Sequence, residues 1–112
     1  MKKFIVLYSA PNSFQDQAQS ASPEEMKKIM EQWKVWADKC GEALVDFGTP
    51  LGNATKVNKE GVTKNQTWTV GYSIMQGESM DEVAEMLKNH PHLNMPGGCE
   101  IQIYECLPVP GM

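Results

Sequence analysis

A continuous apolar run, Phe4–Tyr8, sits inside a β-rich stretch, Lys3–Ser9, which a Pro11-Asn12 turn signal ends. Residues 12–21 are rich in Gln, Ser and Ala without a clear period and read as a loop or a short helical turn. At Ser22-Pro23-Glu24-Glu25 the period changes. Ser22 is placed to cap free amides, Pro23 suits the first helical position, and Glu25 completes a capping box. Met26, Ile29, Met30, Trp33, Ala37 and Cys40 then recur at helical spacing, with Trp36 at the margin of the stripe. Gly41 ends this helix as a left-handed cap.

A short second strand is expected over Glu42–Gly48, stopped by Thr49-Pro50-Leu51-Gly52. Asn53–Gln66 is polar and reads as a long loop or a loose hairpin. Alternation returns in Thr67–Gln76: Trp68, Val70, Tyr72 and Ile74 fall on one side, and Thr69, Gly71 and Ser73 on the other. The first set is expected to be buried. Ser79-Met80-Asp81-Glu82 opens a second helix whose apolar stripe is Met80, Val83, Ala84 and Leu87, and which stops before Pro91. A last strand, Cys99–Cys106, follows the Gly97-Gly98 break, with Ile101 and Ile103 on one face and Gln102 and Tyr104 on the other. Pro108 and Pro110 terminate it.

The order strand, helix, strand, strand, helix, strand predicts a single α+β domain over 1–112. Its fold class is ferredoxin-like βαββαβ, with two helices on one face of an antiparallel sheet. The second sheet face is then uncovered. Phe4, Trp68, Tyr72 and Tyr104 supply more large side chains than one thin core needs, so the expected partner is a second copy, sheet to sheet.

Composition narrows the function classes. Hydrophobic content of 41% and charged content of 21% are globular. A net charge of −4 with no basic cluster larger than Lys2–Lys3 or Lys27–Lys28 disfavours nucleic acid. The longest apolar run is too short to cross a membrane, which takes about 20 residues. The three cysteines include no C-x-x-C pair. Cys99 and Cys106, at opposite ends of one strand, would stand roughly 23 Å apart, too far for a disulfide. Reduced thiols and a cytoplasmic setting are expected.

Candidate chemistry is sparse. The chain's two histidines flank a proline in His90-Pro91-His92. They either hydrogen-bond main-chain groups at the helix end or supply proton transfer and ligand contacts. No metal set completes around them. Gly97-Gly98 precedes a strand, whereas phosphate-cradling glycines precede a helix, so no cofactor is expected. Asp46, between Val45 and Phe47, is either a solvated edge residue or an inward carboxylate with a perturbed pKa. Eight methionines are core filler or the lining of an adaptable pocket. The candidate ligand-binding residues are His90, His92, Tyr8, Asp46 and Trp68; none is assigned a catalytic role.

Several short motifs resemble one known family. Val70-Gly71-Tyr72-Ser73-Ile74, Glu78-Ser79-Met80-Asp81-Glu82-Val83, His90-Pro91-His92-Leu93 and Gly97-Gly98-Cys99-Glu100-Ile101 are similar, in order and spacing, to YCII-related proteins, especially their DGPF-domain branch. The resemblance implies a ferredoxin-like fold pairing as a dimeric α/β barrel, an architecture that includes cofactor-free monooxygenases and lactone isomerases. Glu60-Gly61-Val62 stands about where the Asp-Gly-Pro-Phe stretch would be. Glu25 lies near the position of a histidine that some relatives pair with an aspartate, so no dyad carries over.

Two readings lead: a homodimer with a small-molecule pocket and an enzyme-like role, or a non-catalytic dimeric interaction or regulatory module; metal binding through His90 and His92 is a third, less favoured one. The first draws on the surplus of Trp, Tyr and Met with a few polar groups nearby.

Overall fold

A computed structural model describes residues 1–11, 22–65, 67–95 and 98–111. The loop or helical turn expected over 12–21 lies outside them, as does the Gly97 half of the Gly97-Gly98 break.

Strand β1 (Lys2–Ser9) runs antiparallel to β5 (Thr69–Gly77) on one side and to β6 (Glu100–Glu105) on the other. Strand β2 (Leu44–Asp46) joins the outer edge of β5, giving a four-stranded sheet of order β2-β5-β1-β6. The chain's last strand thus closes against its first. Between β2 and β5 the polar stretch forms a separate hairpin, β3 (Thr55–Asn58) with β4 (Gly61–Lys64), in which Val57 pairs with Val62. Every hairpin residue is exposed.

Helix α1 (Pro23–Cys40) begins where the capping signal stands: the Glu25 amide donates to Ser22 Oγ at 3.2 Å. It ends at Gly41, whose φ of +56° and amide bond to the Ala37 carbonyl close the last turn. Helix α2 (Met80–Leu87) is capped in the same way, with the Glu82 amide donating to Ser79 Oγ at 3.2 Å. Both helices lie on one face of the sheet. Trp36 of α1 and Val83 and Leu87 of α2 pack with Phe4, Val6, Tyr8 and Met75 in a single buried cluster. The Trp36 indole donates to the Met86 carbonyl at 2.9 Å, which ties the two helices together while satisfying a buried donor.

Two expectations are corrected. The second strand is shorter than Glu42–Gly48, because Gly41–Ala43 forms a 3-10 turn and the chain leaves the sheet at Phe47 and Gly48. The faces of β5 are also reversed between Gly71 and Met75. Strand partners share a face, and Gly71, Ser73 and Met75 oppose Tyr8, Val6 and Phe4 beneath the helices. Tyr72 and Ile74 oppose Leu7 and Ile5 on the open face. Ser73 is on the buried side because its hydroxyl is the partner of the Tyr8 hydroxyl, and Gly71 lies beside the Tyr8 ring on the same face. Only Val70 of the apolar set reaches the helix-side core, next to an irregularity in register at Tyr8/Ser9. Trp68 stays 63% exposed.

Gly48 is a tight backbone position. Its φ is +81°, and a Cβ built there would lie 1.8 Å from the Tyr72 carbonyl oxygen. At Gly41 the φ is also positive, but a Cβ would meet nothing within 4 Å. With ψ at −125°, Gly41 sits in a region that essentially only glycine visits, so Gly41→Ala is expected to cost about 1–3 kcal/mol from that local strain alone. Gly48→Ala should cost more than about 3 kcal/mol, since backbone must also move. Denaturant unfolding of the two variants checks the ranking; equal losses would refute the close approach.

Candidate functional site

Between α1 and the sheet lies an apolar cavity of about 130 Å³. Its roof comes from the first turns of α1, where Met26, Ile29, Met30 and Trp33 follow the helical stripe. Its floor is β5 at Val70–Tyr72 together with the Tyr8 ring, and one wall is the chain leaving β2, Phe47–Pro50. His92 and Met95 supply the rest.

Tyr8 is 1% exposed, so its hydroxyl needs a partner inside the protein. It lies 2.8 Å from Ser73 Oγ, which in turn lies 2.6 Å from the Phe47 carbonyl oxygen. A carbonyl only accepts, so Ser73 donates to Phe47 and accepts a hydrogen bond from the Tyr8 hydroxyl. Burial pushes the Tyr8 pKa up to about 12 against the opposing effect of the Ser73 bond, so the phenol stays neutral. This chain of two bonds also fastens the β2 exit to β5. Within the exit itself, Asp46 Oδ1 accepts from the Gly48 amide at 2.9 Å and shapes the turn locally.

The two histidines do not converge; their ring centroids are 6.5 Å apart. His90 is fully buried and caps a 3-10 turn, Pro91–Asn94, with its Nδ1 accepting from the His92 amide at 3.0 Å. The ring proton must then sit on Nε2, which is buried without a hydrogen-bond partner among the described residues. Around it Trp33 and Trp36 pack edge-on, each with its centroid 4.3 Å away, and Tyr8 lies at 4.9 Å. Burial, with a smaller contribution from His92, pushes the His90 pKa down to about 3. His92 donates from Nε2 to the Ser9 carbonyl at 2.8 Å. Burial lowers its pKa, while bonds to the main chain of Ser9 and Glu100 oppose the shift. Ser9 and Glu100 are partners across β1 and β6, so His92 fastens the end of that ladder.

Of the residues singled out in the sequence, Tyr8 and His92 line the cavity and His90 packs behind them. Asp46 is exposed and accepts from the Tyr72 hydroxyl at a long 3.4 Å, outside the lining. Trp68 also lies outside it. Sequence reasoning passed over Trp33, Phe47 and Gly71. The α1 stripe was legible, but that its first half roofs a cavity follows only from the small residues opposite it. Among the described residues no three His, Cys, Asp or Glu side chains gather as a metal site.

No family model matches the chain, and no curated protein matches it. Among solved structures it is similar to 5-chloro-2-hydroxyhydroquinone dehydrochlorinase (TftG) from Burkholderia phenoliruptrix AC1100, in complex with 2,5-dihydroxybenzoquinone. The two share 18% identity with a TM-score of 0.51 over 89% of this chain and 90% of that one. Such a likeness concerns the fold. The fold is ferredoxin-like. No helix among the described residues is long and apolar enough to cross a membrane.

The histidine pair makes stability depend on pH within this ferredoxin-like framework. Unfolded His90 regains a pKa near 6.5, whereas folded His90 stays neutral down to about 3. Between those values unfolding takes up a proton, so stability falls as pH drops from about 6.5 toward 3. The limiting slope is about 1.4 kcal/mol per pH unit, and above pH 7 this group contributes no slope. His90→Asn keeps an oxygen to accept from the His92 amide but cannot titrate. Urea unfolding from pH 7.5 to 4 should be flatter for this variant; an unchanged slope would clear His90 of the effect.

Proposed function

We propose that the protein is a homodimer in which each chain binds a small, flat, apolar molecule between α1 and the sheet. The observation that carries this reading is the cavity itself. A cavity of 150 Å³ in another protein accepts benzene, so 130 Å³ is the scale of one ring. Its walls are aromatic and methionine side chains, which suit a planar guest. The structural neighbour was solved with a one-ring quinone, which supports the same ligand scale here. That neighbour is an enzyme, and its fold supports an enzyme-like role for this chain, in line with the YCII-related resemblance and a cytoplasmic setting.

Dimerisation follows from the open sheet face. Ile5, Leu7, Tyr72, Ile74 and Tyr104 form a contiguous apolar patch there, with Tyr104 52% exposed. Two such faces packed together bury the patch and yield a dimeric α/β barrel. One observation favours the alternative, a non-catalytic module: the Tyr8, Ser73 and His92 polar groups at the cavity already hold partners within the fold. Ligand turnover separates the two, because a binding module returns its guest unchanged.

Native mass spectrometry of gently purified protein should show a dimer with retained small-molecule mass. Leu7→Asp places a charge in the proposed interface and should weaken dimerisation at least about a hundredfold in sedimentation velocity. A wild-type monomer at micromolar concentration would end the dimer reading. Failure of every aromatic probe to quench or shift tryptophan fluorescence, with Trp33 in the cavity roof, would end the pocket reading.

A further inference from the structure

We infer that the cavity selects an uncharged, single six-membered ring, and that Gly71 sets the size limit. This rests on the pocket reading above and adds what the pocket refuses.

Charge selection follows from the distribution of ionisable groups. The chain has no arginine, and its ten cations are all lysines. None lines the cavity, and residues 12–21, 66, 96–97 and 112 contain no lysine or histidine either. A carboxylate or phosphate guest would therefore lose its water without gaining a cation, at a cost of several kcal/mol. A cationic guest fares no better, since no carboxylate side chain belongs to the described lining. The groups there that titrate, Tyr8 and His92, are held neutral by burial. What remains for a polar ring substituent is the Thr49 hydroxyl, whose one bond, to the Pro50 carbonyl, is a long 3.3 Å and easily exchanged.

Size selection rests on Gly71. It is buried in the cavity floor, and its backbone is not in the left-handed region. A Cβ built there would lie 3.4 Å from Tyr8 Cδ2, 3.6 Å from the Thr49 carbonyl oxygen and 3.9 Å from Pro50 Cα. Those are ordinary van der Waals distances, so alanine fits without moving the backbone. Its methyl would then stand between the Tyr8 ring and the Phe47–Pro50 wall, in space the guest needs. A glycine that the local conformation does not require is here for the room it leaves.

The test is calorimetric titration of wild type, Gly71→Ala and Met30→Ala with phenol, benzyl alcohol, benzoate, benzylammonium and 2-naphthol. Wild type should bind phenol and benzyl alcohol, with benzoate and benzylammonium at least tenfold weaker and 2-naphthol excluded. Gly71→Ala should melt close to wild type yet bind phenol at least tenfold more weakly, the effect of one misplaced methyl in a tight apolar site. Met30, 41% exposed at the roof, should on truncation to alanine admit 2-naphthol, which keeps the size claim open to test if Gly71→Ala folds poorly. Benzoate or benzylammonium binding as tightly as benzyl alcohol would overturn charge selection while leaving the pocket. Unchanged phenol affinity in a folded Gly71→Ala protein, or exclusion of 2-naphthol from Met30→Ala, would overturn the size limit. Binding of no probe at all would overturn this inference together with the pocket reading.

Discussion

A phenol hydroxyl buried under two helices must find a hydrogen bond, and the site depends on how Tyr8 finds one. Ser73 supplies it from the next strand by accepting from Tyr8, and donates its own hydrogen bond to the Phe47 carbonyl. The direction of both bonds is fixed, because the carbonyl at the end can only accept. Serine in the middle of β5 is otherwise a poor strand residue for a buried face. Here it lets the chain turn away from β2 while staying fastened to β5. Gly48 then follows in a conformation that leaves the Tyr72 carbonyl clear. The cavity wall is thus a by-product of satisfying one hydroxyl.

The histidine turn complements this fastening at the same end of β1, from the β6 side of the sheet. His92 donates to Ser9, the residue after Tyr8, and its main-chain contact with Glu100 reaches the neighbouring strand. Two polar side chains, Tyr8 itself and His92 bonded to the Ser9 carbonyl, therefore hold adjacent positions of β1, in the floor on which a ligand would rest. Neither imidazole is presented to the cavity as an unengaged base. The arrangement resembles a frame more than a set of reacting groups, and that is why ligand shape and charge are better read from it than a reaction.

Much of this was legible in the sequence. Both helices carry their capping residues where the chain bends, and the strand order follows from alternation and turn residues. Residues whose burial depends on a partner strand were harder. Tyr72 and Ile74 are larger and more apolar than Gly71 and Ser73, yet they face away from the helices. Periodicity assigns two faces without saying which one is covered, and the demand of Tyr8 for a hydrogen bond with Ser73 decided it. The same limit hid Trp33: the stripe on α1 marks an apolar side, but only the small residues beneath it leave a cavity. Asp46 and Trp68 have suggestive chemistry, and neither has a signal in sequence for the direction in which it points.

The β3–β4 hairpin stands apart from all of this. None of its residues belongs to the buried cluster, and a two-stranded ribbon without a covered face is marginal in water. Its ladder can open and reclose while the four-stranded sheet stays shut, so the chain carries two tiers of local stability. Sequence drift, shortening or insertion there is free of the packing constraints that bind the rest of the molecule. The hairpin is where the protein can change its outline without renegotiating its interior.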